Sequence, residues 1–92
     1  MPERHELVVS RIVLDVLKPH TPTIIEFAKS ISAVKGISRV DVSILEVDTN
    51  TETVKLVVEG AGINFEQVEA AVKHLGAAIH SVDQVVVEKI SK

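Results

Sequence analysis

The stretch from Val40 to Glu59, VDVSILEVDTNTETVKLVVE, decides the fold. Val40, Val42 and Ile44 alternate with Arg39, Asp41 and Ser43, the period-two pattern of a half-buried strand. Asp48-Thr49-Asn50-Thr51-Glu52 follows as a polar turn, rich in residues that bond their own backbone. Thr53 to Glu59 then returns as a second strand. So short a connection makes the two strands an antiparallel hairpin.

Outward from the hairpin the period changes to that of a helix on both sides. On the N-terminal side Ile24, Phe27, Ala28, Ile31 and Val34 form one apolar stripe. Thr23, with Glu26 three residues later, reads as a capping box; the alternative cap is Thr21 with Pro22 as first helical residue. Gly36 ends this helix. On the C-terminal side Gly60-Ala61-Gly62 breaks the strand and Asn64 caps a second helix, with Gln67 completing a variant box. Ile63 and Val68 are spaced as a hydrophobic staple; Phe65, Val68, Val72 and Leu75 make the buried stripe, and Gly76 ends it. Glu69 and Lys73 pair on the outer surface.

Beyond the helices lie two outer strands. Leu7 to Leu17 is a β-branched apolar run interrupted by Ser10, Arg11 and Asp15, and reads as a central strand ended by Lys18-Pro19-His20-Thr21-Pro22. Ala78 to Lys89 is the last strand, centred on Val85-Val86-Val87. Strand, helix, strand, strand, helix, strand with right-handed crossovers predicts an α+β, ferredoxin-like βαββαβ sandwich. Its four-stranded antiparallel sheet runs in the order 4-1-3-2 with both helices on one face. The chain of 92 residues reads as one domain spanning 1–92, residues 1–6 being an N-terminal tail.

Composition removes several functions. Aromatic residues are 2% of the chain, Phe27 and Phe65 alone, so no rings are available to stack bases on the sheet. The net charge is −3 with acids and bases interleaved, and no basic run follows a phosphate backbone. Nucleic acid is therefore not expected as a partner. Cysteine is absent, which excludes disulfides and thiolate metal sites. The charged N-terminal segment is unlike a signal peptide, and the apolar runs are too short to span a bilayer, so the expectation is a cytoplasmic protein without a membrane partner.

Catalytic motifs are equally scarce. Gly60-Ala61-Gly62 lacks the lysine and spacing of a phosphate loop. Ser81 lies between His80 and Asp83, but neighbours in a strand point to opposite faces, so no nucleophilic set is expected. No enzyme and no resident cofactor are expected. One constellation survives: the topology gathers His20, Asp48, His74 and His80 at one end of the domain. Asp15, on the sheet face away from the helices, could pair with Lys55 or join them. Asp15, His20, Asp48 and His80 are thus the candidate set for a divalent cation.

The same alternation places Val13, Leu17, Leu45, Val47, Val57, Val82 and Val86 on the uncovered face. Aliphatics gathered there, and two free strand edges, point to contact with another copy of the chain.

Leu14-Asp15-Val16-Leu17-Lys18-Pro19-His20 with Pro22, Glu46-Val47-Asp48, Glu59-Gly60, and Gly76 to Asp83 resemble the archaeal domain-of-unknown-function family numbered 211. The resemblance covers nearly the whole chain, Val82 standing where isoleucine is usual. It implies a ferredoxin-like fold, an archaeal cytoplasmic origin and cyclic rings of about six or seven subunits. It brings no established activity, substrate or catalytic residue. The resulting expectation is a non-enzymatic homo-oligomeric module, structural or regulatory. The alternative is a sensor that binds a small molecule or divalent cation between subunits.

Overall fold

A computed structural model describes residues 5–91. The elements are β1 (His5–Pro19), α1 (Ile24–Ser32), β2 (Ile37–Val47), β3 (Thr51–Gly60), α2 (Phe65–His74) and β4 (Ala78–Ser91). All strands pair antiparallel in one sheet, in the order β2-β3-β1-β4, which is the expected order read from the other edge. The fold is α+β and ferredoxin-like.

Local sequence explains the helix starts. Thr23 accepts from the Glu26 amide at 3.3 Å, and the Glu26 carboxylate accepts from the Thr23 amide at 3.3 Å, so the capping box is closed at Thr23 rather than Thr21. Asn64 accepts from the Gln67 amide at 3.1 Å, and only that half of the second box is made. Gly36 takes φ 90° and its carbonyl accepts from Ala61 at 2.8 Å, locking the end of α1 to the end of β3. A side chain at Gly60 would collide with the Gly36 carbonyl, so glycine is required there.

Between sheet and helices lies the core. Ile12, Leu14 and Val16 of β1 and Val54, Leu56 and Val58 of β3 meet Phe27, Ile31, Val68 and Val72 from the helices. Each such side chain contributes roughly 1.5–3 kcal/mol on burial. The parity of β1 continues to Lys18, which follows Ile12, Leu14 and Val16 inward and is fully buried.

The molecule is elongated, 60 × 22 × 17 Å. Its length comes from β1 and β4, which continue past the rest of the sheet: among the described residues β3 pairs with β1 from Arg11 onward, whereas the strand partners of His5 to Val9 are Val87 to Ser91. Of the expected tail, residues 1–4 lie outside the described residues. His5 and Glu6 belong to this two-stranded ribbon, because β4 supplies Ser91 and Ile90 as partners.

The uncovered face differs from its expected oiliness. Val13 and Val57 do face that way, registered opposite each other, but both are buried. Arg11, Arg39, Lys55, Asp41 and Glu59 surround them. Val47 registers with Glu52 and hence with inward Lys18, and Val82 registers with Leu14, so a bulge in each edge strand puts both on the helix side. Leu17 of β1 is exposed on the open face as expected; apart from it and Ile25 of α1, the exposed aliphatics lie at the edges. Val82, Val85, Val87 and Leu7 line the helix side of β4 and the ribbon, while Ile44, Leu45 and Val47 mark the far end of β2.

Candidate functional site

Two polar constructions stand out, one at the end of the sheet and one on its open face. At the sheet end the parity of β1 drives Lys18 inward, and the hairpin register sets Glu52 directly opposite it. The Lys18 ammonium donates to Glu52 Oε1 at 3.0 Å, to the Pro19 carbonyl at 2.7 Å and to the His20 carbonyl at 3.5 Å. A buried ammonium needs this full set of acceptors, since an unpaired one would be expelled or neutralised.

His20 completes the cluster from outside. Its Nδ1 lies 3.0 Å from Glu52 Oε2 and its Nε2 lies 3.0 Å from the Thr49 carbonyl. Both partners are acceptors, so the ring satisfies them together only when both nitrogens carry protons. The hydrogen bond to Glu52, then that to Thr49, holds the His20 pKa above its ordinary value. The hydrogen bond from His20, then that from Lys18, holds the Glu52 carboxyl below its ordinary range. The cluster fastens the β2–β3 turn to the end of β1. That turn is closed by Asp48, whose amide donates to the Thr51 carbonyl at 2.8 Å and whose Oδ1 accepts from Thr49 at 2.8 Å.

The open face carries the second construction. Arg11 bonds Glu59 at 2.8 Å and Gln84 at 2.6 Å, and Arg39 approaches Glu59 at 3.6 Å and Asp41 at 3.8 Å. Beside this network is a hollow of about 550 Å³, floored by Val13, Asp15 and Lys55. A bulge in β2, between Ile44 and Glu46, turns Leu45 and Glu46 into one wall; a bulge in β4 between Val82 and Gln84 turns Asp83 into the other. Asp15 faces Lys55 across the β1–β3 ladder, yet no ion pair joins them, and Asp15 Oδ1 is buried without a hydrogen-bond partner. Such an atom costs roughly 1–3 kcal/mol. A smaller hollow on the other side of Asp15 is lined by His80, Leu17 and Thr53.

The four expected ligands therefore fall into two pairs. Asp15 and His80 share the open face, while His20 and Asp48 flank Glu52 at the sheet end, both engaged with protein groups. Among the described residues no three His, Asp or Glu side chains converge to hold a metal ion. His74 closes α2. Ser81 donates to Asp83 at 2.8 Å, a pairing that alternation allows, since residues two apart in a strand share a face. Lys18 and Glu52 were missed as a pair; the signal was present in the even-numbered run Ile12, Leu14, Val16, Lys18.

No helix among the described residues is long and apolar enough to cross a membrane. Comparison with known proteins places this geometry in a wider group. The family described as uncharacterized ArCR, domain of unknown function 211, matches residues 10–90. An uncharacterized protein, MJ0319, of the archaeon Methanocaldococcus jannaschii is 40% identical over 81 residues, covering 88% of this chain and 84% of that protein. A match over nearly all of the sheet and both helices leaves no ambiguity: this chain belongs to domain-of-unknown-function family 211.

Proposed function

We propose that the chain is a non-enzymatic module that assembles with further copies of itself into a closed ring through its sheet edges. The observation that carries this reading is the ribbon of His5–Val9 with Val87–Ser91. A two-stranded ribbon is marginal in water, yet this one carries Leu7, Val87 and Ile90 exposed. A neighbouring copy is the simplest cover. The opposite edge, β2, exposes Ile44, Leu45 and Val47, so edge β4 of one copy and edge β2 of the next offer unlike apolar surfaces. Such head-to-tail contacts close into rings when the rotation permits.

Light scattering coupled to size exclusion tests the proposal. The expected mass is about six or seven times the 10.0 kDa of one chain. Val85→Lys in β4 or Leu45→Lys in β2 should each lower that mass while leaving helical circular dichroism unchanged. A wild-type protein that runs only as monomer at micromolar concentration sinks the reading.

A second reading, a sensor of a small ligand or cation, is favoured by the partnerless Asp15 oxygen on the open face.

A further inference from the structure

We propose that the hollow on the open face binds a small zwitterion, an ammonium and a carboxylate on one short skeleton, as in a free amino acid. This rests on the sensor reading and names its ligand class. It does not need assembly, because every side chain of the hollow belongs to one chain.

The hollow's volume of about 550 Å³ lies within the range of small-molecule sites. It is a built feature rather than a crease between elements, since bulges in both edge strands raise its two walls from a flat sheet. Its floor holds an acceptor and a donor that serve no protein group. Asp15 Oδ1 is buried and unpartnered. Lys55 stands opposite it in register and, among the described residues, makes no ion pair or side-chain hydrogen bond. Arg11, by contrast, is already committed to Glu59 and Gln84.

Those leftovers define the ligand. A carboxylate with an unpartnered oxygen asks for N–H donors, and an ammonium beside it asks for an anion. A lone metal ion fits poorly, because no three carboxylates or imidazoles converge there. A simple amine would leave Lys55 unmatched and lie against a like charge; a simple carboxylate would leave Asp15 unmatched. One molecule carrying both groups satisfies both. Glu46 and Asp83 line the walls, and exposed Leu45 offers an apolar cover for whatever chain the zwitterion carries.

The test is a heteronuclear NMR titration of the full chain with glycine, L-leucine, L-glutamate and L-lysine. Matched one-charge probes, n-butylamine and butyrate, and magnesium and calcium chlorides serve as comparisons. At least one amino acid should shift open-face amides between Val13 and Leu17 and between Ser81 and Gln84, with Kd at or below about 1 mM. The one-charge probes should bind at least about tenfold more weakly. Asp15→Asn and Lys55→Met should each weaken the amino acid about tenfold or more, while Glu66→Gln on α2 leaves it unchanged. Butylamine binding as tightly as its zwitterionic counterparts would overturn the proposal. So would binding that Asp15→Asn and Lys55→Met both leave intact. Shifts from the metal salts alone would overturn the zwitterion and keep a sensor, whereas silence from every probe at about 10 mM removes both.

Discussion

The two faces of this sheet bury valines by different means. Toward the helices, Val16, Val54 and Val58 disappear beneath Phe27, Ile31, Val68 and Val72, a layer of packed aliphatics with no polar atoms to satisfy. On the other face Val13 and Val57 are almost as hidden, though no element lies over them. Their cover is the charged fringe of Arg11, Glu59, Arg39 and Asp41, whose heads pair beside the valines, together with Lys55, unpaired among the described residues. One cover is fixed by the fold. The other is a side-chain layer that can be moved without unfolding anything, which suits a surface that meets ligands.

Adjacent residues of β3 measure the contrast most directly. Leu56 faces the helices and Val57 the open side. Leu56→Ala should cost about 3–4 kcal/mol, because the packed layer relaxes only partly around the void. Val57→Ala should cost about 1 kcal/mol, since flexible stems can settle into the gap. Urea unfolding with unchanged slope reads both. Equal costs would mean the fringe packs as rigidly as the helices.

Two lysines of the same sheet repeat the comparison with charge. Lys18→Ala removes a fully buried ammonium from Glu52 and two carbonyls and should cost about 2–3 kcal/mol. Lys55→Ala, on an exposed and unpaired side chain, should stay within about 0.5 kcal/mol. A comparable loss at Lys55 would show that it already has a partner in solution.

How far the sequence reveals this molecule follows the same division. The hairpin at Val40–Glu59, both helix caps and the strand order were legible, because period two, period 3.6 and capping chemistry agree at every element. What alternation could not show were the bulges. Each adds one residue and reverses parity beyond it, so Val47 and Val82 moved to the helix side. Val13 and Val57 were placed correctly on the open face, but their burial was hidden: a count of aliphatics ignores the long charged neighbours that cover them. The Lys18–Glu52–His20 cluster was only partly legible. Its lysine sits on an inward parity, whereas Glu52 reads as one more polar turn residue until the register sets it opposite.

Arg11 tests the movable cover itself. Its removal should uncover Val13 and release Glu59 and Gln84, costing about 1 kcal/mol at low salt. The ion-pair share of that cost should shrink in about 1 M sodium chloride, where exposed pairs are screened. A cost that salt leaves unchanged would assign the effect to packing of the arginine stem alone.

The smallest effect separates the two faces by pH. On the open face Arg11 donates to the side-chain amide of Gln84, a neutral acceptor. His20 at the covered end does titrate. Its pKa is raised in the folded chain, so its stabilisation is complete below the unfolded value near 6.5 and is lost as pH rises through the folded value. Glu52 is lowered, so its contribution is present above the unfolded value near 4.5 and is lost as pH falls through the folded one. The fastening of the β2–β3 turn is therefore strongest in mildly acidic solution, between those two limits. The difference in urea midpoint between wild type and His20→Gln should be greatest between those two limits and fade as pH rises through the raised His20 value, where the neutral ring donates to only one of its two acceptors. A difference that stays constant across this range would mean that His20 holds the turn by shape rather than by its second proton.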